Sequence, residues 1–351
     1  MRWQNKEQIA TIPMRVVGPV RINHPLVNED VPIPLATFES PLWPSTHRGA
    51  RVCTQAGGIN AIITDERMTR SVLLEADSAS EVHQAYLDIK QQQETLQKLI
   101  SETSRYAKLI DMHAAYVGSM LYLRFELLTG DAAGHNMVTL ASDRMLEWIL
   151  DKYPVLRYVS ISGNFCSDKK VSAVNGILGR GKHVIAEVTI SRELCARSLR
   201  TTPEKIVELN IKKNLLGNIM AGGVRTANAH FANMLLGFYL ATGQDAANII
   251  EGSQGVVHAE VRHDQLYFSV TLPNVIVGAI GNGKNIDFVR ENLAILGCNE
   301  KRQAGDNAKR LALIAGAVVL CGELSLLAAQ TNRGELMRSH LKLERKKTKE
   351  G

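Results

Sequence analysis

The stretch KLIDMHAAYV (108–117), GS (118–119), MLYLRFELL (120–128) reads as two strands joined by a two-residue turn. In the second strand Leu121, Leu123, Phe125 and Leu127 alternate with Tyr122, Arg124 and Glu126, so one face is apolar and the other polar. Upstream, Ser78 and Glu81 form a capping box, and Val82, Tyr86, Ile89, Leu96 and Ile100 follow on one helical face. Downstream, a helix is expected over about 134–153 and a strand over 156–161. Helix, hairpin, helix, strand is the order of a small split βαβ sandwich.

Around this module the pattern changes. Residues 12–44 are rich in Pro and short apolar runs, as in strands and turns. Helices are expected over 203–220, 228–251 and 306–331, with a strand over 266–277 ahead of a glycine-rich loop. The fold class is therefore α+β: a large helical α+β domain, residues 1–70 and 161–332, with an inserted small ferredoxin-like domain, 71–160. Residues 333–351 form a C-terminal segment with a basic tail.

The 351 residues suffice for two such bodies. Aromatic content is only 5%, so the core must be aliphatic. Five cysteines with no CxxC pair argue for a reduced compartment and against structural zinc; no metal is expected. The most apolar run, 311–321, is too short to span a bilayer, and the first eleven residues lack an apolar signal core. A cytoplasmic location with no membrane partner is the expectation. The net charge of +6 gathers partly in the tail, where a solvated terminus is favoured over a nucleic-acid contact. A basic surface also suits a polyanionic ligand.

Several motifs could carry chemistry. DAAGHNM (131–137) lies where a strand ends and a helix begins, so its small residues and free amides suit a pyrophosphate. Asp131 could equally be a plain helix cap. GILGRGKH (176–183) and GAIGNGKN (278–285) have P-loop spacing but lack the Ser/Thr that binds magnesium; only the second is retained, as a turn touching a cofactor. SGNFCSDKK (162–170) sets Asp168 against Lys169 and Lys170, either a solvated cluster or a lysine placed to stabilise an oxyanion. Asp245 and Glu39 each follow apolar runs, where a carboxylate needs a partner.

These segments resemble the hydroxymethylglutaryl-coenzyme A (HMG-CoA) reductases. PLATFES (34–40), STHRG (45–49), RMTR (67–70), TSRYAKL (103–109), DAAGHNM, SGNFCSDKK, GRGK (179–182), NIKKNLLG (210–217), NAHFAN (228–233), GQDAAN (243–248) and GELSLLAA (322–329) occur in family order. The SGNxCxDKK form resembles the class I branch. The resemblance implies reduction of HMG-CoA to mevalonate with NADPH, NADH being less favoured, by a homodimer or a multiple of dimers. It implies Glu39, Lys169, Asp245 and His340 as catalytic residues, the last on a mobile C-terminal flap. Arg70, Ser162, Asp168, Lys170, Lys213, His230 and Asn233 fall on substrate positions, although a core role for His230 stays open. Ser104, Arg105, Asp131, Ala132, Gly134, Asn136, Met137, Gly281 and Gly283 fall on cofactor positions.

The implied mechanism gives each group a task. Lys169 would stabilise the oxyanion, Asp245 would hold Lys169 and Glu39 in one network, and Glu39, its pKa raised by burial, would supply a proton. His340 would protonate the leaving thiolate. There are departures from the family pattern. Its N-terminal entry motif survives at most as Glu7-Gln8-Ile9. Its glycine-only loop reads Gly281-Asn282-Gly283-Lys284. His135 replaces a usual Met, and Ser40 a usual Gly. A non-catalytic homologue that binds CoA or a protein partner is the alternative.

Overall fold

The computed structural model describes residues 10–344. Glu7-Gln8-Ile9 and the basic tail after 344 lie outside the described residues, as does the side chain of His340. Strands β1 (Met14–Asn23) and β2 (Glu29–Ala36) form an antiparallel pair, followed by helix α1 (Leu42–Gln55) and the 17-residue strand β3 (Ile59–Glu75). The small module follows: α2 (Ala79–Lys90), α3 (Gln93–Thr103), β4 (Lys108–Val117), β5 (Met120–Leu128), α4 (His135–Lys152) and β6 (Arg157–Ser160). After it come α5 (Ala173–Leu178), β7 (Gly181–Ser191), α6 (Arg192–Leu194), α7 (Pro203–Leu209), α8 (Asn218–Met220) and β8 (Thr226–Ala227). The chain closes with α9 (Phe231–Ala241), α10 (Ile249–Gly252), β9 (Gly255–Arg262), β10 (Gln265–Val275), α11 (Asp287–Ile295), α12 (Asp306–Gln330) and α13 (Glu335–Glu344).

β3 joins the two halves. Its first part pairs with β7 in a sheet of order β2-β1-β3-β7-β10-β9-β8. Its second part, from Met68, lies between β5 and β6, with β4 outside β5. That gives an antiparallel order β6-β3-β5-β4 backed by α2, α3 and α4, the ferredoxin-like arrangement expected from the hairpin. Two hydrophobic clusters follow this division, one around the large sheet and α12, the other within the small module. The capping box forms as read: Ser78 Oγ accepts from the Glu81 amide at 3.2 Å, and Glu81 returns a bond to the Ser78 amide at 2.9 Å.

Four sequence expectations are corrected. The helical face over 82–100 is split by Gln91 and Gln92 into α2 and α3. The polar face of β5 is not solvated: Arg124 and Glu126 are fully buried and bonded at 2.6 Å. The helix expected over 228–251 ends at Ala241, because Gly243 turns the chain with φ +63° and a Cβ there would meet the Gly283 carbonyl at 2.6 Å. Asp245 therefore sits not in a helix but at the start of a short 3-10 turn, Ala246–Asn248. The apolar run 311–321 belongs to α12, which is long and apolar enough to cross a membrane but is buried almost throughout as the central core helix. There Leu320→Ala should cost about 2–5 kcal/mol.

Candidate active site

Where the two halves meet lies a cleft of about 470 Å³. One wall is the approach to α4 and its first turn, residues 132–139; the others come from Arg70 on β3, the loop at Asp168 and Lys169, the turn 243–245 and the loop 280–284. The α4 turn is fixed from behind. Its neighbour Ala132 bridges to Ile280, and the Ala279 amide donates to the Asp131 carbonyl at 2.8 Å. Gly278 packs so closely that a Cβ would lie 2.3 Å from the Ala133 nitrogen. The Asp131 carboxylate does not line the cleft; it accepts from the Ala308 amide at 3.0 Å in the first turn of α12. Of the open readings, capping is what its side chain does, though on another helix than α4.

The loop bearing Lys169 is wound through left-handed backbone at Asn164, Ser167 and Lys169 itself, φ +55°. Buried groups hold it there. Glu251 accepts from the Lys169 amide at 3.1 Å, from Asn248 Nδ2 at 2.9 Å and from Arg180 Nη1 at 2.7 Å. Arg180 Nη2 reaches Asp168 Oδ1 at 2.9 Å. Lys169 Nζ then meets Asp245 Oδ2 at 2.7 Å. That hydrogen bond, against desolvation, holds the Lys169 ammonium above its ordinary pKa. Burial works to raise the Asp245 carboxyl, but Lys169 and the Ala247 amide prevail and keep it below its ordinary value. Both groups are half-exposed and charged at neutral pH, so Asp245 is not buried as the sequence suggested. Burial, reinforced by Arg180, pushes the His135 imidazole down, so it faces this cleft neutral.

Glu39 belongs to a different group. Its Oε2 accepts from Asn233 Nδ2 at 2.8 Å in the first turn of α9. The amides of Ala229 and His230 donate to the buried Glu323 carboxylate of α12 at 2.9 and 2.6 Å, and His230 Nε2 lies 3.9 Å from it. Lys213 Nζ donates to Asn214 at 3.0 Å, and burial lowers its pKa. Among the described residues no hydrogen bond or ion pair joins Glu39 to Lys169 or Asp245 within one chain, and Glu39 does not line the cleft. Within one chain Glu39 therefore stands apart from the Lys169–Asp245 pair.

The remaining candidates scatter about these centres. Arg70, Ala132, Gly134, Asn136, Met137 and Gly281 line the cleft; Gly283 supports it from behind, against Gly243. Ser162 bonds only to Ser160 through its backbone, and Lys170 Nζ donates to the Asp168 carbonyl at 3.0 Å. Ser104 Oγ accepts from the Tyr106 amide, and the Arg105 guanidinium stacks on the Tyr106 ring, outside the cleft. His340 lies on α13. For a metal, the only described donor group is Asp111, His113 and Glu126, and there the Glu126 oxygens already hold Arg67 and Arg124.

Sequence reasoning missed a basin of arginines. A cavity of about 640 Å³ is walled by Arg48, Arg51, Arg197, Arg200 and Arg338, with Glu335 the one carboxylate. Arg48 and Arg51 also wall an adjoining groove of about 510 Å³ that contains Ser40, next to Glu39. The pair Arg48–Glu335, 2.8 Å, ties α13 to α1. The signal available was the spacing of Arg48 and Arg51, which places both on one face of a helix.

Residues 8–345 match the profile of the family described as hydroxymethylglutaryl-coenzyme A reductase. A 3-hydroxy-3-methylglutaryl-coenzyme A reductase of Pyrococcus abyssi is 44% identical over 345 residues, covering 97% of this chain and 84% of that one. One from Aeropyrum pernix is 42% identical, covering 96% and 80%. The fold is similar to a class II reductase of Streptococcus pneumoniae, solved with NADPH in open conformations, with TM-score 0.74, 18% identity and coverage of 94% and 87%.

Proposed function

This chain belongs to the hydroxymethylglutaryl-coenzyme A reductase family, and from that premise we propose that it reduces HMG-CoA to mevalonate with NADPH, in the class I form that SGNFCSDKK (162–170) suggests. The observation that carries the reading is the Lys169–Asp245 contact of 2.7 Å in a cleft walled by a helix N-terminus. The α4 turn, whose first amides have no intrahelical partner, fits a dinucleotide diphosphate. Bound there, the dinucleotide supplies hydride. The side chains do the rest. Lys169 stands where negative charge develops on the thioester oxygen, worth about 10²–10³ in rate for a preorganised donor. Asp245 keeps that ammonium charged and aimed. Arg70 presents a buried polar atom, Nε, that no hydrogen bond satisfies, as a polar substrate would require.

Glu39, His230, Asn233 and Lys213 complete this chemistry only if a second copy brings them to the cleft. A dimer is supported by the exposed apolar row Leu215, Leu216, Ile219, Met220 and Val224, a surface that water disfavours. The arginine basin suits the phosphates of CoA, and the groove beside Ser40 leads from them toward Glu39. His340, on the helix tied to the basin by Arg48–Glu335, is assigned protonation of the thiolate. The test is consumption of NADPH on addition of HMG-CoA, with two NADPH oxidised per thiol released. Binding of both ligands without oxidation would favour the non-catalytic alternative.

A further inference from the structure

Loop 278–285 sets one side chain into the cleft to which neither the sequence reading nor the proposed mechanism gives a role of its own. Lys284 is only 9% exposed, and its Nζ donates to the Gly243 carbonyl. Among the described residues no carboxylate lies within ion-pair distance of it. The two acids of the cleft are already engaged, Asp245 by Lys169 and Asp168 by Arg180. Burial lowers the Lys284 ammonium to about 8. A buried cation without a counter-charge is costly, and such groups in native proteins have partners. Arg70 Nε, also buried and without a hydrogen bond, lines the same space. The wall shared with these two groups is the first turn of α4, brought against the loop by the Ala132–Ile280 bridge. The ammonium and the free helix amides thus face one volume beside Arg70, and the ligand that fits them is a diphosphate.

We propose that Lys284 is a cofactor-binding residue whose ammonium pairs with the diphosphate of the bound dinucleotide, opposite the α4 turn. The assignment rests on the reading of the cleft as the NADPH site. It also gives the departure from an all-glycine loop a purpose: the loop supplies a positive charge where glycines supply only close approach.

The pH dependence has a definite sign. An anion favours the charged amine, so binding takes up protons near and above pH 8, and affinity falls as pH rises from about 7 to 9. The other groups around the cleft do not titrate in that window: His135 and Asp245 are held down, and Lys169 is held up. Arg70 also faces the cleft, Asp168 is paired with Arg180, and on α11 Asp287 is paired with Arg290.

The experiment is NADPH binding to the full chain, read by nucleotide fluorescence from pH 7 to 9, for wild type, Lys284→Met, Lys284→Gln and Lys284→Arg. The Met and Gln variants should bind about 10- to 100-fold more weakly at pH 7, as expected for loss of a charge-assisted bond, and should lack the alkaline decline. The Arg variant should bind near the wild-type level and lose the decline as well. Met and Gln variants that bind like wild type, with the same pH slope, overturn the assignment while leaving the cleft as the cofactor site. So does a loss confined to HMG-CoA affinity, which would place the substrate carboxylate on Lys284. If the wild type binds no NADPH, the reading of the cleft falls and Lys284 falls with it.

Discussion

Glu251→Ala should show how Lys169 is held. Glu251 and Arg180 are both essentially inaccessible to solvent and meet at 2.7 Å. Removing the carboxylate leaves the guanidinium with Asp168 as its one remaining carboxylate, beside the Thr69 hydroxyl, and frees the Lys169 amide and Asn248. Stranding one member of a buried pair costs about 3–5 kcal/mol, a large part of the roughly 5–15 kcal/mol that keeps a domain folded. Burial holds the Glu251 carboxyl above its ordinary value in spite of Arg180, so the pair is no net gain in stability; the loss arises from what is left behind. Function should suffer as well. Left-handed backbone at a lysine costs about 1–3 kcal/mol and persists only where its surroundings enforce it. Without the Glu251 acceptor, Lys169 should relax and turnover should fall even where the variant is fully folded. Glu251→Gln keeps an acceptor oxygen and should lose less of both. The pH sign follows from the raised carboxyl. The folded state holds that proton more tightly than the unfolded chain, so this group's contribution falls as pH rises through the folded pKa. The Gln variant should lack that slope. Urea midpoints and steady-state rates on the same samples decide the matter. A Glu251→Ala protein with the wild-type midpoint, or one destabilised yet fully active, would refute the reasoning.

Other outcomes follow from the same geometry. Lys169→Ala should lower turnover by about 10²–10³ with NADPH binding retained, as measured by binding and single-turnover rates. Charge reversal at Arg51 and Arg197 should raise KM for HMG-CoA roughly tenfold or more, while reduction of free mevaldehyde, which carries no phosphates, keeps its rate. Arg105→Ala should weaken NADPH and spare NADH; equal losses would make the stack on Tyr106 merely structural. Lys169 and Asp245 pair within one chain, so variants of these two should not complement on mixing. Glu39→Ala with Lys169→Ala should, restoring about a quarter of wild-type activity if half the dimers are mixed and each has one intact site.

The local rules were legible in the sequence. The capping box at Ser78, the hairpin at Gly118-Ser119 and the strand period of 120–128 each depend on residues a few positions apart, so the chain itself displays them. What escaped depends on contacts distant in sequence. Arg124 and Glu126 look like a solvated face because alternation shows only which side is polar, and the burial comes from the loop carrying Phe165 and from Asn175 and Gly179. Gly243 reads as a tolerable interruption of an apolar helix until Gly283 is seen to occupy the place of its Cβ. The arginine basin draws on α1, the segment around Arg197 and α13, and no window of sequence contains all three.

Glu39 shows the limit of reading roles from motifs. The residue types for acid, base and cation are all present, and the motifs suggest one network without saying whether one chain forms it. The structure forms two. Lys169 and Asp245 stand on loops between the two halves of the molecule, while Glu39 and Asn233 stand on the large body beside α12. A motif specifies chemistry but not which copy of the chain supplies it. The first network is built on buried ion pairs that fix Lys169 from behind. The second is fixed by Glu323, a fully buried carboxylate of α12, which holds the amides of Ala229 and His230 and so sets where α9 begins. Each half-site is held by its own contacts before any ligand arrives, which is the preorganisation that the proposed dimer would draw on.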